Sequence, residues 1–176
     1  FAITRRWLEL VLGGSPRGPA GFDVWDLAAL AGAWSYGFAR TIWQQATAIE
    51  VYALHLTLAM AVLWAFLCAH TRPADRARDW LLFAGAVGLS FTNHLTTVVL
   101  APALVVLFFW KQGWRTRTWR LLLAMGAVFG AALLPYLYLP WRSAAHPAFD
   151  WGGVARGWSK LQYHVLARQY QVWMFS

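Results

Sequence analysis

Residues 80–110 read WLLFAGAVGLSFTNHLTTVVLAPALVVLFFW, 31 positions without a single Asp, Glu, Lys or Arg. Drawn as one straight helix they would run about 46 Å, well past the ~30 Å hydrocarbon core of a bilayer. A polar centre, Thr92-Asn93-His94, and then Pro102 interrupt the stretch. It therefore predicts a pair of short membrane helices, about 80–92 and 95–110, meeting at that centre, or one strongly kinked helix. Either outcome makes the chain an all-α, polytopic transmembrane helix bundle.

Composition agrees. Of 176 residues, 60% are hydrophobic and 12% charged. Soluble domains average roughly 45–50% apolar and about 25% charged. Thirteen Trp, eleven Phe and six Tyr exclude intrinsic disorder. One Cys excludes a disulfide framework and a multi-thiolate metal site. The histidines, at 55, 70, 94, 146 and 164, show no ligand spacing, so no metal site is expected.

Working outward from 80–110, residues 71–79 (TRPADRARD) form a charged loop and 49–70 a complete span. Residues 41–48 read as a short polar connection, and 22–40 as a span rich in small residues that let helices approach closely. The Gly/Pro loop 13–21 separates that span from residues 1–12, the end of a truncated span. On the other side, 111–120 is a basic loop and 119–140 a last span. Residues 1–140 thus form the transmembrane region, and 141–176 the start of an extracytoplasmic region. The chain starts at Phe1 rather than Met and ends in mid-pattern, so it is expected to be a fragment of a longer protein.

The net charge of +8 acts here as a topology signal. Arg5, Arg6, Arg17, Arg72, Arg76, Arg78, Lys111, Arg115, Arg117 and Arg120 fall on one side, cytoplasmic by the positive-inside rule. Aromatic belts are expected at Trp80, Trp110, Trp114 and Trp119 inside, and at Trp43, Tyr136, Tyr138 and Trp141 outside.

The outer face collects the unusual chemistry. Glu50 opens an otherwise apolar span; it is either a helix-start carboxylate reaching water or a site residue. Tyr52 adds an aromatic surface with a polar tip. Asn93 and His94 either satisfy backbone groups freed at a helix break or face a cavity that binds substrate. The tail after Trp141 interleaves Arg142, Arg156, Lys160 and Arg168 with aromatics. That mixture suits a phosphate held beside a sugar ring, and 158–171 equally suits an amphipathic surface helix. Nucleic acid is not an expected partner, because this tail faces away from the cytoplasm.

The strings FARTIWQQATAIEVYALH (38–55), GLSFTNHLTTVVLAPAL (88–104), PYLYLPWRSAAHPAFDWG (135–152) and HVLARQYQVWMFS (164–176) stand in an order that resembles the transmembrane protein 260 family. Its members are protein O-mannosyltransferase-like membrane proteins, and its bacterial relatives are mostly catalogued as a domain of unknown function. The resemblance implies a GT-C glycosyltransferase that takes a sugar, mannose in the eukaryotic case, from a polyprenyl-phosphate donor. Transfer would go to an acceptor hydroxyl, on protein among other acceptors, outside the cytoplasm. The catalytic acid usual in this fold class lies in a first outer loop that would precede Phe1, so the fragment alone is expected to be inactive. By matched motif, Glu50, Tyr52, Asn93, His94, Arg142, Asp150, Trp151, Arg168, Gln169 and Tyr170 are carried over as candidate site residues.

Residue chemistry fits the same activity. Sugar transfer to a hydroxyl needs a carboxylate base and cations to hold the departing phosphate. Glu50 would orient donor or acceptor, or act as the base; Arg142, Arg168 and His94 would stand near the lipid phosphate. No cofactor is expected in the fragment; the lipid-phosphate sugar donor is a substrate, and membrane lipid a partner. The alternatives are a transporter or flippase of a lipid-linked substrate, and a structural assembly subunit. The Ala/Arg/Trp-rich composition points to a bacterial inner membrane, with the site facing the periplasm or exterior.

Overall fold

The computed structural model describes residues 1–13, 21–47, 52–148, 157–166 and 168. These residues are helical, with no strand among them. Helix α1 covers Ala2–Leu12, α2 Val24–Gly37, α3 Arg40–Thr47 and α4 Tyr52–Thr71. Helix α5 covers Ala77–Asn93, α6 Ala101–Gln112, α7 Thr116–Ala132, α8 Tyr138–Ala144 and α9 Trp158–Val165. Among the described residues, the runs Tyr52–Thr71, Leu95–Gln112 and Thr116–Ala144 are long and apolar enough to cross a membrane.

The 80–110 stretch divides at His94, where the backbone turns extended (φ −155°, ψ 131°). The break has a local cause. The His94 imidazole accepts the Thr96 backbone N–H at 3.3 Å and so caps the next segment in place of an intrahelical bond. A β-branched run, Thr96 to Val99, follows and disfavours an α-helix. It forms a 3₁₀ turn instead, Leu95–Leu100. Pro102 then sits in the first turn of α6, where its missing N–H leaves no bond unmade. The two arms extend beyond the apolar stretch, starting at Ala77 and ending at Gln112. Asp79 in the first turn of α5 favours that start, and binds Arg72 at 2.8 Å.

Polar contacts gather at the two ends of this bundle. At one end Arg6 donates to Thr71 Oγ1 at 3.1 Å, and Gln112 to the Ala74 carbonyl at 3.3 Å. There too the Lys111 ammonium donates to the carbonyls of His70 and Arg72, which end α4. At the other end Tyr136 donates to the Phe91 carbonyl at 2.7 Å. So α5 runs away from the basic loops and α6 returns to them. His55 stands about 24 Å along α4 from Thr71, near the far boundary of a bilayer core rather than at its middle.

The core forms where α6 comes back past α5. Trp80 has no exposed surface; its ring meets Phe108 edge-on at 4.9 Å and Phe66 at 5.8 Å. This corrects the expectation that Trp80 belongs to an interfacial belt: the returning helix encloses it. Trp110, Trp114 and Trp119 are exposed, as are Trp43, Tyr138 and Trp141. Helix α7 packs against α5 through Gly88, where an added Cβ would stand 2.6 Å from Ala132 Cβ and 2.8 Å from the Phe129 carbonyl oxygen.

One buried polar pair spans the break. Ser90 and Thr97 hydroxyls lie 2.6 Å apart, and both residues are buried. Thr97→Val strands one hydroxyl and is expected to cost about 1 kcal/mol, read as a lower melting temperature in detergent. The double change Ser90→Ala/Thr97→Val should cost less than the two single changes added together.

The outer elements follow from caps and charge. Asp23 and Asp26 form a capping box at the start of α2, with backbone-to-carboxylate bonds of 2.9 and 3.0 Å. Arg5 of α1 reaches both carboxylates, at 2.9 and 2.8 Å, and Glu9 at 3.2 Å. Residues expected to be a plain polar connection after α2 form α3, because Arg40 to Thr47 place polar and apolar side chains on opposite helix faces. The run from α7 continues through a 3₁₀ turn, Leu134–Leu137, into α8.

Candidate functional site

Helix α4 begins at Tyr52 at the end of the bundle away from the basic loops. Residues three apart share a helix face, so Tyr52 and His55 point the same way. The α5 break brings His94 against them. The ring centroids of His55 and His94 are 4.9 Å apart, and those of Tyr52 and His94 5.9 Å. Thr96 lies between the imidazoles: its Oγ1 is 2.9 Å from His55 Nε2 and 2.8 Å from His94 Nδ1. The result is a continuous chain of hydrogen-bonding atoms, His55–Thr96–His94, capped by an aromatic ring. Among the described residues no carboxylate or ammonium bonds to either imidazole.

Next to this cluster opens an apolar cavity of about 330 Å³ between α4, α5, α6 and α7. Phe91 and Thr97 line it at the histidine end, and Val62, Phe83, Met125 and Phe129 continue it. It offers aliphatic and aromatic surface with a single hydroxyl near its polar end, a lining that suits a hydrocarbon chain better than a sugar. Among the described residues no three His, Cys, Asp or Glu side chains converge as a metal site would need.

The candidates from the sequence divide into three groups. Tyr52 and His94 meet directly, and Asn93, half-buried, is the last residue of α5 beside them. Arg142 lies in α8 and Arg168 beyond α9; both are exposed and neither contacts the cluster. Glu50, Asp150, Trp151, Gln169 and Tyr170 lie outside the described residues.

Sequence reasoning missed His55 and Thr96. It weighed His55 only as a metal ligand, for which the histidine spacing is wrong. The available signal was an ionisable ring inside an apolar span, three residues from Tyr52; ionisable groups at membrane depth mark functional sites by default.

Comparison with known proteins bears on the same segments. The family profile for the protein O-mannosyl-transferase TMEM260 N-terminal domain matches residues 9–118, which include α4, α5, α6 and the whole histidine cluster. The mouse protein O-mannosyl-transferase TMEM260 is 33% identical over 122 residues, covering 66% of this chain. The chain spans 17% of the length of that relative. No solved structure matches. The chain belongs to the protein O-mannosyl-transferase TMEM260 N-terminal domain family.

Proposed function

We propose that this chain is part of a GT-C type membrane glycosyltransferase that moves mannose from a polyprenyl-phosphate donor to an acceptor hydroxyl on protein. The observation that carries this reading is the pairing of the Tyr52–His94 cluster with the apolar cavity beside it. A lipid-linked sugar has those two halves: a hydrocarbon chain for the cavity, and a phosphate and sugar ring for a polar, aromatic mouth. Tyr52, Asn93 and His94 bind the donor head. Arg142, Arg168, Asp150, Trp151, Gln169 and Tyr170 complete the outer binding surface, with the arginines toward the phosphate. Glu50 orients the reacting hydroxyl or takes its proton. By the positive-inside rule the basic loops face the cytoplasm, so transfer takes place at the extracytoplasmic face, in a bacterium the periplasmic side of the inner membrane.

A transporter reading draws on broken helices that meet near the bilayer midplane. Here the break lies near the end of the bundle, which favours the transferase. The test is sugar transfer by the full-length protein with polyprenyl-phosphate mannose and a hydroxyl-bearing peptide. Transfer that falls at least tenfold in Glu50→Gln, with normal expression, supports the assignment. Unchanged transfer in Glu50→Gln removes Glu50 from it, and counterflow of the lipid-linked sugar without transfer selects a transporter.

A further inference from the structure

We propose that His55 and Thr96 are positioning residues that hold His94 as the Nε2–H form, so that it offers a hydrogen-bond donor to a phosphate oxygen. The phosphate rests on the reading above; the direction of the chain does not. It follows from one backbone group. The Thr96 N–H points at His94 Nδ1, so that nitrogen carries a lone pair and no proton. The Thr96 hydroxyl, 2.8 Å from the same nitrogen, must then donate to it. With its proton committed, Thr96 Oγ1 accepts from His55 Nε2–H at 2.9 Å. Every proton in the chain therefore points toward His94.

His55 closes the other end. Its Nδ1 is fully buried with no partner among the described residues, so a charged His55 would seal an unsatisfied N–H in an apolar setting. The ring stays neutral and keeps its single proton on Nε2, facing Thr96. At the far end His94 Nε2 has no partner among the described residues, yet it is not among the sealed polar atoms. It is the one open position of the chain, and it carries a proton. A donor fixed in place loses no orientational freedom when an anionic oxygen arrives. The two ring nitrogens thus have separate duties: Nδ1 holds the fold, and Nε2 meets the ligand.

The test labels histidine nitrogens in the full-length protein and reads ring protonation by NMR, with His94 assigned by its loss in His94→Asn. A bare Nδ1 and a protonated Nε2 are expected. The Nε2 signal should shift on adding dodecyl phosphate and stay still on adding dodecanol. Thr96→Val keeps the 3.3 Å backbone bond but loses the hydroxyl's 2.8 Å bond to Nδ1, so part of His94 should change tautomer and kcat/KM for the lipid-phosphate sugar should fall about tenfold; Thr96→Ser should restore both. A protonated Nδ1, or an Nε2 indifferent to dodecyl phosphate, overturns the proposal, and both are read in the unmodified protein even if a variant fails to fold. So does a Thr96→Val protein whose tautomer and kcat/KM are unchanged. Expected tautomer and phosphate response without transfer from any donor would support this proposal and count against the transferase reading.

Discussion

His94→Asn in the full-length protein is expected to lower kcat/KM for sugar transfer about a hundredfold while leaving the fold intact. The asparagine side-chain oxygen can take the place of Nδ1 and still accept the Thr96 N–H, so the cap on the 3₁₀ turn survives. The asparagine cannot reach the position of Nε2. The substitution therefore deletes the outward donor alone. A pre-oriented donor to a charge that develops on a leaving phosphate is worth about 10²–10³ in rate. His94→Ala removes both functions and should also lose about 1 kcal/mol of stability. The check is transfer kinetics beside a melting curve for each variant. Equal melting loss in His94→Asn and His94→Ala, or full activity in His94→Asn, would show that His94 serves only the fold.

The largest effect on stability is expected at Gly88. A side chain there meets Ala132 Cβ at 2.6 Å and the Phe129 carbonyl at 2.8 Å. One of these contacts is backbone, inside a helix that cannot move locally, so α5 and α7 must separate along their length. Gly88→Val should cost about 3 kcal/mol, at the upper end of overpacking penalties, and little folded protein should reach the membrane. Gly85, one turn earlier on α5, is the control. A Cβ there would lie 3.5 Å from Val128, an ordinary contact, so Gly85→Ala should be neutral or slightly stabilising because it removes a flexible residue from a helix. Detergent melting temperatures of the two variants decide it. A Gly88→Val protein that melts with the parent would mean that α7 does not press on α5.

The helix content and the division of residues 80–110 were legible because length and polarity conflict there: too many apolar residues for one span, with a polar group in their midst. The aromatic belt was less legible. Trp80 and Trp110 bracket the same apolar stretch, yet one is enclosed and the other 84% exposed. Only the path of α6 distinguishes them, and no local pattern encodes that path. The site was legible in half. Asn93-His94 stands out as a polar island, and Tyr52 and His94 do meet. His55 and Thr96 became visible only when α4 and the break came together, a contact across 41 positions of sequence. Sequence spacing can test whether histidines share a metal; it cannot show that a threonine lies between two of them.

The ion cluster around Arg5 fastens α1 to the start of α2 by charge. Arg5 and Arg6 face Glu9, Asp23 and Asp26, so this group as a whole is not a positive charge but a slight negative one. Arg72 is likewise answered by Asp79. Arg115, Arg117 and Arg120, in contrast, are exposed and bond to no carboxylate among the described residues. The arginines of α1 are therefore committed to joining two helices, whereas those around the start of α7 keep their charge for solvent or lipid headgroups. Within one run of basic residues, some act as internal fasteners and others as surface charge, and only their acidic neighbours tell them apart.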